Sequence, residues 1–301
     1  MKNICVVGNI TRDYLFRAKK LPELDEVSYI DSYNSCIGGR GGVVAMTLGE
    51  LGAKVRIVTN LPYDKEGDSV KALFENNGIS TQGISYKNNA DMHRVNIYIG
   101  YKEENCISFF VPGKIDMSIS PEQGEVIEAS DIVYFTTHSR KFNTKAHKYI
   151  KDHPIIVYNV TNHMIDSEEY VDCIRSNAKI LILNEAEGKK FVKKMGCEAI
   201  EELFAHIASL KCIFFTKGKK GSFLYERDKA RCKIDSQDAK CISPVGAGDT
   251  YAAGILYGIA NDWSLLACAK FATKLAAISV SSVNSYPDKE QVQLFVKGSA
   301  Y

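Results

Sequence analysis

The sequence predicts an α/β fold with two sheets: a central, mostly parallel β-sheet covered by helices on both faces, and a second, smaller β-sheet. Six short apolar runs rich in β-branched and aromatic residues recur along the chain, and helical segments separate most of them. Buried strands that alternate with helices are typical of a parallel sheet covered on both faces. Two stretches, at about residues 14–37 and 92–111, break this alternation, and we interpret them as strands of the smaller sheet.

The six runs give the strands of the central sheet in chain order: NICVVGN, VRIVTNL, DIVYFTT, IIVYNV, AKILILN and KCIFFTK. Within 92–111, HRVNIYIGY and CISFFVPG flank the polar turn KEEN, which predicts a β-hairpin. After Asp249, TYAAGILYGIAND and SLLACAKFATKLAAISVSSV predict two helices rich in small residues. No repeat, low-complexity tract or linker divides the chain, so we expect one domain over residues 1–301 with a small β appendage.

The composition favours a globular protein whose partner is a small molecule. Of the 301 residues, 45% are hydrophobic and 25% charged, which argues against disorder and coiled coil. The formal net charge is only +2, so no basic surface is available to attract nucleic acid or an anionic membrane.

The cysteine pattern and the N-terminus favour a reducing cytoplasm. None of the nine cysteines forms a C-x-x-C pair, which excludes zinc-ribbon and thioredoxin-type sites, and several lie in apolar runs as small hydrophobic residues. The six histidines show no H-E-x-x-H spacing, which argues against a transition-metal site. The N-terminus lacks an apolar stretch of signal-peptide length, and the other apolar stretches are too short to cross a bilayer. We therefore expect an untargeted cytoplasmic protein.

The segment Ser243-Pro-Val-Gly-Ala-Gly-Asp-Thr250 is the strongest candidate for a functional motif. Gly246 and Gly248 leave backbone N–H groups uncovered at the start of a predicted helix, where the helix dipole adds partial positive charge, and this combination predicts an anion site. Asp249 stands beside it, where a general base for a hydroxyl nucleophile is expected. Taken alone, the segment is equally compatible with a glycine-rich turn that has an acidic residue in the first helical turn.

A second glycine cluster, Gly38-Gly-Arg-Gly-Gly42, precedes another predicted helix. The glycines let backbone approach a ligand closely, and Arg40 offers a forked hydrogen-bond donor. The same residues could form a flexible connection between the smaller sheet and the core.

Two further segments follow predicted strands. Asn184 and Glu187 are three residues apart, hence neighbours on one helix face, and suit a hydrated magnesium ion beside phosphates, although the spacing also matches a capping box. The segment Thr216-Lys-Gly-Lys-Lys-Gly221 could lie along a nucleotide or form a solvated turn between the strands CIFFT and SFLYE. No G-x-x-x-x-G-K-[ST] motif is present, and the first strand lacks G-x-G-x-x-G, which argues against P-loop and Rossmann nucleotide sites.

In this order, the segments resemble the ribokinase-like (PfkB-type) carbohydrate kinase family over essentially the whole chain. The resemblance rests on Asp13 after the first strand, the glycine pair near residue 40, N-x-x-E, T-x-G-x-x-G and the G-A-G-D signature near the C-terminus. It implies a ribokinase-like three-layer α/β/α core with a mostly parallel central sheet and a small β-sheet lid. It also implies an ATP- and magnesium-dependent kinase that phosphorylates a hydroxymethyl group of a sugar or related molecule, and a homodimer formed through the lid.

The resemblance assigns a role to each motif. Asp249 would accept the proton of the substrate hydroxyl, and the backbone N–H groups of Gly246, Ala247 and Gly248 would stabilise charge on the transferring phosphoryl group. Two residues, Asn184 and Glu187, would organise magnesium through water. The nucleotide would be lined by Thr216, Gly218 and Gly221. The acceptor would be faced by Asp13, Gly38, Gly39, Arg40 and Val43.

Three positions depart from the family pattern. Val43 stands where an Asn is usual, and it removes the hydrogen bond that the Asn would make to an acceptor hydroxyl. The acceptor can therefore be a sugar or a nucleoside. Ser243 replaces an Asp that helps form a monovalent-cation site in several members, which leaves potassium activation open. Asn159 lies near a position that is acidic in many members. A catalytically silent sugar- or nucleotide-binding regulatory protein is the alternative from another functional class, and the retained Asp249 argues against it.

Overall fold

The computed structural model describes residues 1–100, 105–136, 140–151 and 154–298 of the chain. Within these ranges the strands are β1 (Ile4–Gly8), β2 (Thr11–Ala18), β3 (Ile30–Gly38), β4 (Val55–Pro62), β5 (Ser80–Lys87), β6 (His93–Gly100), β7 (Asn105–Val111), β8 (Ile132–Thr136), β9 (Ile155–Asn159), β10 (Ile180–Asn184), β11 (Cys212–Thr216), β12 (Ser222–Glu226) and β13 (Cys232–Ile234). The helices are α1 (Arg40–Glu50), α2 (Lys65–Asn76), α3 (Pro121–Glu128), α4 (Arg140–Ala146), α5 (Glu168–Asn177), α6 (Glu185–Lys194), α7 (Leu203–His206), α8 (Ala247–Ala260), α9 (Leu265–Ser279) and α10 (Lys289–Gly298).

Nine strands form the central sheet, in the order β13-β12-β11-β10-β9-β8-β1-β4-β5. Every pairing from β11 to β5 is parallel, and β12 and β13 are antiparallel additions at one edge. Alternate residues of β1 enter different apolar clusters: Ile4 and Val6 pack on one face of the sheet, and Cys5 and Val7 on the other. The predicted three-layer α/β/α architecture is therefore confirmed, and all six predicted central strands are present.

The smaller sheet has four strands in the order β3-β2-β6-β7, and we call it the lid sheet. It comes from the two predicted stretches, but its first strand begins at Thr11 rather than near residue 14. The buried alternate residues Thr11 and Asp13 are polar and hydrogen-bonded to each other, which hides the strand pattern in the sequence. The predicted hairpin pairing of β6 with β7 is present, while residues 102–104 of the KEEN turn lie outside the described residues.

Strand β5 and helix α10 are among the elements that were not predicted individually. Strand β5, of sequence STQGISYK, forms the outer edge of the central sheet, where polar side chains reach solvent, so it lacks the apolar run of the inner strands. Helix α10 packs through Val292 against Phe271 and Leu275 of α9.

Burial supports the interpretation of cysteines as small hydrophobic residues. Cys5, Cys212 and Cys268, each in an apolar run, have no exposed surface. Among the described helices, none has the length and apolar character that a bilayer crossing needs.

Candidate active site

The predicted motifs meet at the carboxyl ends of the parallel strands, the usual place for a ligand site in an open α/β sheet. Asn159, Asn184 and Thr216 end the neighbouring strands β9, β10 and β11, and Asn184 pairs in register with Thr216. They line a chamber of about 210 Å³. Its other described lining residues are Arg40, Ile182, Leu183, Glu187, Gly248 and Asp249.

The start of helix α8 lies at this chamber: Gly248 and Asp249 line it, whereas Gly246 and Ala247 do not. Gly246 is the N-cap, in the left-handed region at φ 82°, and no side chain caps the helix. A Cβ on Gly246 would lie 1.7 Å from the carbonyl oxygen of Ser285, so this position requires glycine for packing as well as conformation. A Cβ on Gly248 would meet nothing within 4 Å, which leaves open space over the first turn of the helix.

Asp249 follows in the first turn of α8 and also lines the chamber. Burial raises its pKa to about 6; Arg40 lowers the pKa, whereas the carboxylates of Glu187 and Asp13 raise it. A carboxylate with this pKa is ionised near neutral pH and can accept a proton from a hydroxyl group.

Asn184 and Glu187 form the capping box that the spacing allowed. The Asn184 side chain accepts a hydrogen bond from the Glu187 N–H at 2.9 Å, and Glu187 Oε2 accepts one from the Asn184 N–H at 3.1 Å. The second carboxylate oxygen, Oε1, accepts a hydrogen bond from Arg40 at 2.8 Å. Capping and a place in the chamber are therefore compatible, because the box orients the carboxylate toward Arg40.

The structure also gives a physical account of Asn159. Its Oδ1 accepts a hydrogen bond from Arg40 at 3.3 Å, and its Nδ2 donates one to the Tyr134 hydroxyl at 3.0 Å. An amide can accept and donate at once, whereas a carboxylate only accepts. The sequence indicated that Asn159 is unusual. It did not indicate that Tyr134 is near the site, because Tyr134 lies within an apolar strand.

A larger cavity of about 450 Å³ adjoins the chamber, and Thr216 and Gly248 line both. All three predicted nucleotide-lining residues, Thr216, Gly218 and Gly221, lie on its wall. The alternative prediction for this segment, a turn, is also met, because the segment connects the antiparallel strands β11 and β12.

Asp13 lies on the lid side of the site. Its Oδ1 accepts a hydrogen bond from Thr11 at 2.5 Å and its Oδ2 one from Ser285 at 3.2 Å, while burial raises its pKa. Gly38 packs directly on this carboxylate, because a Cβ there would lie 1.9 Å from it. The sequence could have indicated the contact of Thr11 with Asp13, because residues two apart lie on the same face of a strand. It could not have indicated the contact of Ser285, which is distant from Asp13 in the sequence.

Among the other predicted residues, Arg40 lines the chamber and Ala247 lines only the larger cavity. The predicted residues that line neither cavity are Asp13, Gly38, Gly39, Val43 and Gly246. Gly39 is the N-cap of α1, at φ 76°. Arg40, expected to face the acceptor, makes its hydrogen bonds with Glu187 and Asn159. Val43 is buried in the apolar core and lines neither cavity.

The donor set around the chamber limits how metal ions could bind. The described residues contain no group of three or more His, Cys, Asp or Glu side chains placed to hold a metal ion directly. Each oxygen of Glu187 already accepts one hydrogen bond and keeps a further lone pair, which fits magnesium held through water beside phosphates. Ser243 is buried, its Oγ accepts a hydrogen bond from the Val245 N–H, and it brings no carboxylate to the position where several members have a monovalent-cation site.

Comparison with known proteins gives likenesses over nearly the whole chain. A model of the pfkB family of carbohydrate kinases matches residues 1–291. A nucleoside kinase of Methanocaldococcus jannaschii is 25% identical over 286 residues, covering 94% of this chain and 91% of that protein. A ribokinase of Bacillus subtilis is 26% identical over 302 residues, covering 97% and 99%. The crystal structure of the M. jannaschii nucleoside kinase matches with a TM-score of 0.81 at 23% identity, over 99% of this chain and 98% of that one.

Proposed function

Since the chain belongs to the pfkB family of carbohydrate kinases, we propose that it transfers the terminal phosphoryl group of ATP to a hydroxymethyl group of a sugar or sugar derivative. The observation that carries this proposal is the chamber of about 210 Å³ in which Asp249, Glu187 and the uncapped start of α8 meet. The adjoining cavity of about 450 Å³ is of a size suited to a small ligand.

In this proposal Asp249 is the general base. The acceptor oxygen attacks the γ-phosphorus, its proton passes to the Asp249 carboxylate, and the bond to the bridging oxygen breaks, with its electron pair leaving on ADP. The N–H groups of Gly246, Ala247 and Gly248 donate to oxygens of the phosphoryl group, as the uncapped helix start supports.

Glu187 and Asn184 would hold a magnesium ion through water. When bound, magnesium supplies positive charge that offsets the charge of the phosphates. The protein's own part is orientation, since the capping box fixes the Glu187 side chain at the end of β10.

The two substrates would approach from opposite sides. Because Thr216 and Gly248 line both cavities, a nucleotide lying along Thr216, Gly218 and Gly221 can extend its phosphates into the chamber. Asp13 would accept hydrogen bonds from acceptor hydroxyls, with Gly38 and Gly39 providing close backbone approach.

Two other functions remain to be separated from this one. A nucleoside acceptor is supported by the similarity to the M. jannaschii nucleoside kinase. A catalytically silent binding protein would not need Asp249 beside uncapped N–H donors, so the geometry of α8 favours an enzyme.

The deciding experiment is a screen for consumption of magnesium-ATP over sugars and nucleosides, with and without potassium, and with mass spectrometry of each phosphorylated product. We expect a sugar product, and the comparison of rates with and without potassium decides whether a monovalent cation activates the enzyme. Activity on nucleosides alone would contradict the sugar acceptor, and nucleotide binding without transfer to any acceptor would favour the silent protein. Asp249→Asn is the matched control, expected to bind ATP without transferring phosphate.

Self-association through the lid sheet and a cytoplasmic location complete the proposal. Apolar side chains on the lid sheet support the homodimer because they are exposed in one chain: Tyr33 and Phe109 for more than half of their surface, and Val111 for 45%.

A further inference from the structure

The backbone position of Arg40, on the inner wall of the site, is fixed by the packing of α1. It is the first residue of α1, and its N-cap Gly39 adopts φ 76°. The helix start is pressed against the end of β1, because a Cβ on Gly41 would lie 2.7 Å from the carbonyl carbon of Gly8. The Arg40 side chain therefore leaves the backbone at a position that the core determines.

The guanidinium group is bonded to one carboxylate, that of Glu187, and interacts electrostatically with a second, that of Asp249. It donates to Glu187 at 2.8 Å and to Asn159 at 3.3 Å, which uses two of its five N–H donors in these bonds. Burial alone would lower the pKa of Arg40, but Asp249 and Glu187 raise it well above its ordinary value. The side chain of Arg40 is 35% exposed and that of Glu187 only 3%, so the arginine is the more accessible partner from the chamber.

The charges of the chamber favour a role for Arg40 toward the phosphates, in addition to that of magnesium. Among its described lining residues, Asp249 and Glu187 are acidic, and Arg40 alone is basic. A terminal phosphate brings further negative charge into the same 210 Å³, where repulsion in a partly desolvated space is strong.

We propose that Arg40 is a catalytic residue that binds two oxygens of the γ-phosphoryl group through its guanidinium fork during transfer. This inference rests on the proposed kinase function and moves Arg40 from the acceptor side to the phosphoryl side. The bonds made and broken are those given above; Arg40 gains and loses no proton, and its N–H groups follow the oxygens as charge spreads over them. Before the nucleotide arrives, Glu187 and Asn159 hold the fork in position.

A role limited to neutralising buried Glu187 makes a different prediction. In that case the loss of Arg40 would lower stability without a specific effect on the transition state. In our proposal the loss lowers kcat more than it raises either KM, because the contact strengthens only as phosphoryl transfer proceeds.

The test compares Arg40→Gln and Arg40→Lys with Arg175→Gln, a control on the outer helix α5 whose arginine pairs with Asp172. With the acceptor found in the screen, we expect Arg40→Gln to lower kcat about 10²–10³-fold and to change the KM for the acceptor less than threefold. Millimolar guanidinium should restore part of the rate to Arg40→Gln and leave the control unaffected. Magnesium-ADP should bind Arg40→Gln normally, whereas magnesium-ADP with fluoroaluminate and the acceptor should bind at least tenfold more weakly.

Three results would overturn the inference. These are an unchanged kcat, a raised acceptor KM at normal kcat, or an unchanged preference for fluoroaluminate. If Arg40→Gln does not fold, Arg40→Lys keeps a charge beside Glu187 but lacks the fork, and a normal kcat in this variant would refute the fork. If the wild type phosphorylates no acceptor, the kinase proposal fails by itself; slow hydrolysis of magnesium-ATP by water then compares Arg40→Gln with the control, and equal rates would count against Arg40.

Discussion

The charge state of Asp249 links catalysis to pH at the scale of a single residue. Burial raises its pKa to about 6, and the nearby carboxylates of Glu187 and Asp13 act in the same direction. Proton acceptance needs the ionised form, so kcat/KM should fall as the pH decreases through about 6. A pH profile of kcat/KM measures this directly. A profile that stays flat down to pH 4.5 would mean that another group accepts the proton.

The same raised pKa makes Asp249 unfavourable for folding at neutral pH. A carboxyl group whose folded-state pKa lies above its unfolded value binds its proton more tightly when folded, so its ionisation above pH 6 costs stability. Asp249→Asn should therefore raise the free energy of unfolding by about 1–3 kcal/mol at pH 8. The gain should disappear below pH 4. Urea unfolding at the two pH values checks this, and equal gains at both would indicate a cause other than ionisation.

A substitution at Gly248 is expected to affect stability and catalysis differently. It lies in the first turn of α8, and a Cβ there would meet open space. Gly248→Ala should be neutral or stabilising by about 0.5–1 kcal/mol, because alanine restricts the unfolded chain and favours a helix. We expect kcat to fall about tenfold or more, since the added methyl group occupies space beside the transferring phosphoryl group. Thermal unfolding measures the stability of the variant, and steady-state kinetics measures its kcat. A normal kcat in Gly248→Ala would mean that the transferring phosphoryl group does not lie beside Gly248.

At the same scale, sequence spacing identified the residues of the chamber but not their contacts. Asn184 and Glu187 could be a capping box or part of a site, and the structure makes them both. The contact of Arg40 with Glu187 joins residues 147 positions apart, which spacing within one motif cannot reveal.

Among the elements, the lid sheet is connected to the start of α8 through the segment 283–285. Arg17 of β2 donates to the Val283 carbonyl at 2.5 Å, and Asn34 of β3 donates to the Asn284 side chain at 2.7 Å. Ser285 donates to Asp13, and its carbonyl oxygen packs on Gly246. One short segment thus touches both the proposed acceptor carboxylate and the N-cap of the anion site.

Ser285→Ala tests this connection. The substitution removes one of the two hydrogen bonds to the buried Asp13 carboxylate, so Asp13 becomes less well oriented and its pKa rises further. We expect the KM for the acceptor to rise about tenfold while the KM for ATP stays within twofold. Ser281→Ala is the matched control, because Ser281 bonds to the exposed Lys240 carbonyl. Equal acceptor KM values in the two variants would contradict the connection.

Strand patterning predicted the elements unevenly for a physical reason. The inner parallel strands are buried on both faces, so continuous apolar runs such as that of β10 mark them clearly. The edge strand β5 and the start of β2 at Thr11 carry polar residues, satisfied by solvent or by neighbouring side chains, and this removes the signal.

Over the whole molecule, the lid sheet presents two different faces. Asp13 and Thr11 lie on one, toward the site. The other bears a row of aromatic rings that crosses the sheet, Tyr33, Phe16, Tyr98 and Phe109, with successive centroids 6.3, 5.0 and 6.1 Å apart. Tyr33 is 74% exposed and Phe109 59% exposed at the two ends of this aromatic row. Exposed apolar surface of this kind is typical of an interface.

The proposed homodimer gives the aromatic row a partner and can be tested without knowledge of the substrate. Phe109→Asp places a charge in the predicted interface, where its desolvation would be unfavourable, so the variant should be monomeric. Leu294→Asp is the matched control, since Leu294 is 71% exposed, more than Phe109, but lies on α10, far along the chain from the lid sheet. Size-exclusion chromatography with light scattering should show a dimer for the wild type and the control. A protein concentration of about 10–50 μM is suitable, because it spans the micromolar affinities of modest interfaces. A monomeric wild type would refute the lid dimer, and a dimeric Phe109→Asp variant would move the interface to another surface.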